Sequence, residues 1–142
     1  MNGVEPGRLL LDTCAALWIS TDAKLSAEAR QSLNRFWRGG GTVLLSPFTA
    51  WEVGMLVARG RLSLTTKPLT WFQSLAEASG TALADLTPSI LIESCNLPGD
   101  PPGDPADRII ISTAREYGCA VMTRDRQILA YAEKGHVSAI AC

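Results

Sequence analysis

Residues 104–125 read DPADRIIISTAREYGCAVMTRD, and their pattern predicts a helix, a buried strand and a loop with acids at both ends. Asp104 suits the N-cap, Pro105 the first helical position and Asp107 the third, while Gly118 ends the helix. Three, four and seven residues after Asp107 stand Ile110, Ile111 and Ala114, so Asp107 shares the core-facing side. A carboxylate there is costly to desolvate unless it meets solvent, a metal or the positive end of the helix dipole. The apolar run 119–122 has strand length and the pattern of a parallel strand covered on both faces. Thr123, Arg124 and Asp125 follow at its carboxyl end, the edge of an open α/β sheet where ligands bind.

Moving outward, the amino end repeats the design. Residues 8–13, RLLLDT, predict a short buried strand ending in Asp12, followed by a helical turn at 14–18. Ser26 caps a helix that runs to Arg38 and stops at three glycines; its Arg30, Arg35 and Arg38 form either a solvated face or a phosphate contact. A third strand is expected at 42–45. Ser46-Pro47 then opens a helix to about Arg59, on which Glu52 shares a face with Phe48, Met55 and Leu56. A lone acid on an apolar face needs a partner, either a buried salt bridge or a cation. Trp51 reads as a core or interface aromatic before a base-stacking platform. Further on come a helix at 68–79, a strand at 81–86, a short helix at 88–96 and a stiff proline- and glycine-rich loop at 97–103. After Asp125 a helix to about Lys134 and an edge strand at 137–141 complete the pattern.

Strands alternating with helices give an α/β fold, doubly wound around a mostly parallel sheet of four or five strands. One cleft at the strand ends can then hold Asp12, Glu52, Asp107 and Asp125. With 142 residues, 46% hydrophobic and 19% charged, residues 1–142 are expected to form one domain with its own core. Leu9 to Leu11 is too short for a secretory signal and Asp12 interrupts it; no apolar run approaches the roughly 20 residues of a membrane span, so a cytoplasmic location is expected. Cys14, Cys95, Cys119 and Cys142 form no C-x-x-C pair, and only His136 is there to join them. This argues against a thiolate zinc site and for reduced cysteines that pack or, for Cys142, are simply terminal, with His136 at the surface or in a turn. The net charge is −1, yet setting aside the four acids leaves 13 basic groups against 10 acidic ones. Such a balance permits a nucleic-acid partner without requiring one.

Four converging carboxylates repel one another unless some stay protonated or a hard divalent cation joins them. Mg²⁺ and Mn²⁺ take oxygen ligands and grip phosphates as well, so metal-assisted phosphodiester hydrolysis is the chemistry to expect. The segments LLLDT with Asp12, AWEVGML with Glu52, DPADRIIISTA with Asp107 and VMTRD with Asp125 resemble PIN-domain proteins of the VapC toxin type over nearly the whole chain. That resemblance implies a PIN-like three-layer α/β/α fold and a ribonuclease whose Mg²⁺ (or Mn²⁺) centre is formed by Asp12, Glu52, Asp107 and Asp125. Asp104 then assists or only caps, and Thr123 orients a carboxylate, a water or a phosphate.

The same resemblance implies a type II toxin–antitoxin module. The chain would be a homodimer with an RNA substrate, silenced by a VapB-like protein antitoxin whose tail covers or enters the cleft. A helix near the amino end with Leu17, Trp18, Leu25 and Leu33 is either the antitoxin groove or core packing. A receiver-type signalling domain is the first rival, but it needs a lysine after a late strand, and Lys24, Lys67 and Lys134 are not so placed. The second is a PIN fold kept only as a protein-binding module, against which the intact acids count.

Overall fold

In the computed structural model, which describes residues 7–20 and 26–142, five parallel strands form one sheet. They are β1 (Arg8–Leu11), β2 (Thr42–Leu45), β3 (Thr81–Leu83), β4 (Ala120–Thr123) and β5 (Ser138–Ala141), in the order β3-β2-β1-β4-β5. The expected four or five mostly parallel strands are thus five, and all parallel. Lys24 and Leu25 lie outside the described residues.

The period of a strand divides the core in two. Leu9 and Leu11 join one cluster and Leu10 the other, each almost completely buried. The first cluster takes residues from α1 (Thr13–Ser20), α2 (Ala27–Arg38), α3 (Pro47–Ala58) and α4 (Pro68–Ala76). The second takes Ile110, Ile111 and Ala114 of α6 (Pro105–Tyr117) with Ile128 and Tyr131 of α7 (Arg126–Glu133). Between β3 and α6, α5 (Pro88–Glu93) is tied to α6 by Ser112, whose hydroxyl donates to the Ile90 carbonyl at 2.7 Å. Three α/β/α layers result, the expected architecture.

Strand order reverses between β1 and β4, which pair directly, Leu11 opposite Met122. In a doubly wound sheet that switch point opens a crevice at the carboxyl edge, because the chain leaves the two neighbouring strands toward opposite faces. Asp12 follows β1 and Thr123 ends β4, so both stand at the crevice.

Several boundaries differ from the sequence reading. The turn expected at 14–18 is the eight-residue α1. β3 stops at Leu83, short of Leu86, because Thr87 caps α5 by accepting from Ile90 N at 3.2 Å and draws the chain away from the sheet. β4 starts one residue late: Gly118 takes a left-handed φ of 62° and Cys119 N still bonds the Ala114 carbonyl, closing α6. The core face of α3 runs through Thr49 and Val53, not through Phe48, Met55 and Leu56. Trp51 is no core residue: it is 57% exposed and stacks on Phe48. Cys119 and Cys142 pack on the rims of the two clusters as expected, but Cys14 and Cys95 are exposed. His136 sits in a turn, its ring against Tyr131. Among the described residues no helix is long and apolar enough to cross a membrane.

Candidate active site

Asp12 is the most buried of the four acids, 7% exposed at the end of β1. It opens α1 in the manner of an N-cap: its carbonyl accepts from Ala16 N and its Oδ1 from Ala15 N at 2.8 Å. Its Oδ2 receives the hydroxyl of Thr123, which is fully buried. Burial pushes the Asp12 carboxyl above its ordinary range, while the Thr123 and Ala15 bonds pull it back.

Asp125 caps α7, with Oδ1 accepting from Gln127 N and Ile128 N. Its own amide donates to Thr123 Oγ1 at 2.9 Å. Asp104 caps α6 by accepting from Ala106 N at 2.8 Å, and Asp107 occupies the first turn of that helix. Three helix N-termini, of α1, α6 and α7, are therefore each headed by an acid. Their aligned peptide dipoles lower the cost of gathering negative charge.

Glu52 comes from α3, which covers the same face of the sheet as α1 and the face opposite α6 and α7, and is half-buried. Thr13 Oγ1 donates to its Oε1 at 2.6 Å, and the same hydroxyl lies 3.2 Å from Thr49 Oγ1. Burial pushes Glu52 upward, the Thr13 bond opposes it, and the charges of Asp104 and Asp12 add to the rise.

These residues line one cleft of about 250 Å³ that includes Asp12, Glu52, Asp107 and Asp125. Asp104 lies outside its lining yet close enough for its charge to act on Asp107 and Glu52. Asp107 shows the consequence most clearly. Desolvation, followed by the charges of Asp125, Asp104, Glu52 and Asp12, pushes its carboxyl from 3.8 up to about 7. Near neutral pH the Asp107 carboxyl is thus partly protonated, a relief of the repulsion that a cation would supply instead. Among the described residues no three His, Cys, Asp or Glu side chains already stand as a metal cage, so the acids share a cleft without being drawn onto one point.

The donors fit a hard divalent ion. All four candidate ligands are carboxylates, while the one thiol in the cleft, Cys14, is pushed upward by burial and by Asp12, Glu52 and Asp125, and stays protonated. A soft-metal thiolate site is disfavoured on the same ground.

The sequence reading brought the four acids and Thr123 to this place, and all five stand there. It missed Thr13, Thr49 and Arg124. Thr13 directly follows Asp12, and Arg124 lies between Thr123 and Asp125; their adjacency to strand-end acids was the available signal. Thr49 precedes Glu52 by three residues, one helical turn.

Residues 9–134 match the family model described as PIN domain. Ribonuclease VapC22 of Mycobacterium tuberculosis is 34% identical over 121 residues, covering 84% of this chain and 88% of the relative. A structure of VapBC2 from Rickettsia felis bound to a DNA fragment from its promoter contains a chain that superposes with a TM-score of 0.66 at 12% identity, over 94% of this chain and 98% of that one. One in the structure of FitAcB from Neisseria gonorrhoeae does so with a TM-score of 0.57 at 21% identity, over 93% and 96%. At such identities these two likenesses concern the fold.

Proposed function

The chain belongs to the PIN-domain family, and on that premise we propose that it is a divalent-metal-dependent endoribonuclease acting as the toxin of a type II toxin–antitoxin module. Asp107 carries the reading: a carboxyl held at about 7 by burial and four neighbouring carboxylates belongs to a site built to receive positive charge. The relative named a ribonuclease, aligned over most of both chains, supplies the substrate class.

In this reading Asp12, Glu52, Asp107 and Asp125 hold Mg²⁺ or Mn²⁺. When bound, the ion supplies charge neutralisation at the phosphodiester and acidifies water for attack. The chain's own groups do the positioning. Thr123 fixes the Asp12 carboxylate against β4, and Thr13 fixes Glu52 against α1. Asp125 Oδ1 is engaged by the α7 cap, which holds its carboxylate at the cleft. Asp104 keeps a capping role and adds negative potential. Residues 1–142 act as one domain, the chain pairs with a second copy, and a VapB-like antitoxin silences it; VapBC2, a solved assembly of this fold, supports the antitoxin.

Cleavage of total cellular RNA by the purified, antitoxin-free chain tests the proposal. Discrete fragments with Mg²⁺ or Mn²⁺, and none with chelator, are expected. Folded protein that binds the ion and leaves all RNA intact would favour a PIN fold kept for protein binding.

A further inference from the structure

An RNA strand that enters an acidic cleft needs affinity from contacts that do not rely on phosphate charge. Among the described residues that line the cleft, Arg124 alone is cationic, and its guanidinium is already stacked on Trp18 and bonded to the Cys142 carbonyl. Single-stranded RNA offers a second handle, the flat faces of its bases, which stack on aromatic rings whatever the charge nearby.

An aromatic surface of that kind borders the cleft on α3. Thr13 Oγ1 ties the first half of this helix to the cleft, reaching Glu52 Oε1 at 2.6 Å and Thr49 Oγ1 at 3.2 Å. α3 opens just after β2, so Phe48 and Trp51 stand at the carboxyl edge of the sheet, as the acids do. At about 100° per residue, Glu52, Phe48 and Trp51 fall about 60°, 100° and 160° to the same side of Thr49. Moving outward from the cleft, the order is therefore Glu52, Phe48, Trp51. Phe48 is half-buried and Trp51 is 57% exposed; their ring centroids lie 5.2 Å apart with the planes 29° from parallel. Phe48 thus backs the indole and restricts its rotation, while more than half of Trp51 stays open. Gly54, one turn further on, has no side chain, and a Cβ there would meet nothing within 4 Å, so the space beside Trp51 is clear. A ring held in advance loses little entropy when a base stacks on it.

We infer that Trp51, braced by Phe48 on the rim of the acidic cleft, is the platform on which an RNA base beside the cleaved bond stacks. The inference rests on the ribonuclease reading above and adds the contact that holds a single strand at a cleft whose charge repels its backbone.

Steady-state cleavage of a short single-stranded RNA, copied from a site that the wild-type chain cuts in total RNA, tests it, alongside versions in which one nucleotide at a time is made abasic. Trp51→Ala is expected to raise KM by about 5- to 100-fold and leave kcat within about threefold, the loss of one stacked base. The dependence of kcat/KM on salt should keep its wild-type slope, because no phosphate contact is lost. Trp51→Phe, which keeps an aromatic face, should hold KM within about threefold. For the wild-type chain, removing the base at one position beside the cleaved bond should raise KM as Trp51→Ala does; in Trp51→Ala the same removal should cost less than about twofold. An unchanged KM in Trp51→Ala overturns the inference and leaves the ribonuclease reading standing. So does a loss that adds in full to every abasic position and comes with a fall in solution mass, the mark of an interface between two copies of the chain. A wild-type chain that cuts no RNA overturns the ribonuclease reading itself, and this inference with it.

Discussion

Thr123 and Asp12 stand 111 residues apart in sequence and meet in a buried hydrogen bond, the threonine hydroxyl donating to Asp12 Oδ2. The hydroxyl oxygen of Thr123 in turn accepts from Asp125 N. One hydroxyl therefore links β1, β4 and the cap of α7, using a donor and an acceptor that no aliphatic side chain has. Thr123→Val keeps the shape and removes both bonds, leaving a buried carboxylate oxygen without its donor. Chemical denaturation should show a loss of about 1–3 kcal/mol, and cleavage should fall with it. Thr123→Ser should retain most of both. Equal stability of the valine variant would show that this bond holds nothing in place.

Thr13 does for Glu52 what Thr123 does for Asp12. Thr13→Val should release the Glu52 carboxylate, push it further up by removing the bond that opposes burial, and lower activity or metal affinity by about 10- to 100-fold, as losing the support of a ligand does. A variant with wild-type rate and wild-type affinity would mean that Glu52 needs no such support.

Much of this architecture could be read from residues near one another in sequence. Asp104, Pro105 and Gly118 punctuate α6 unambiguously, and the apolar runs of β1, β2 and β4 have no other use than burial on two faces. Strand-end acids then fall at the switch point by topology alone. Errors arose where the local signal is weak. α3 is apolar on nearly all sides, PFTAWEVGMLVA, so periodicity cannot say which stripe faces the core, and the Thr49–Val53 stripe was missed. β3 lost its last residues to a capping threonine whose pull exceeds that of an edge strand. The Thr13–Glu52 pair spans 39 residues and joins two helices, α1 and α3, and no spacing rule reaches that far.

Asp107 makes stability depend on pH in a definite sense. Its folded carboxyl lies at about 7 against 3.8 for the ordinary group, so between those values the folded chain holds a proton that the unfolded chain has released. The folded state then binds more protons, and metal-free stability must fall as pH rises through roughly 4 to 7. Asp12 and Glu52, also raised, act in the same direction. Because Asp107 is half-buried, solvent screening reduces its share to about 1–2 kcal/mol. Asp107→Asn should remove that share and unfold later than wild type above neutrality. Parallel melting curves for the two chains from acid to alkaline pH would count against the repulsion.

The central claim is that Asp12, Glu52, Asp107 and Asp125 form one cation site, and calorimetric titration of Mn²⁺ into the metal-free chain above neutral pH tests it most directly. The expected result is saturable binding that releases protons and weakens at least about tenfold in both Asp12→Asn and Asp107→Asn, while both variants keep the wild-type fold by circular dichroism. Binding of equal strength in wild type and both variants would contradict it, because the ion would then be held by something other than these acids.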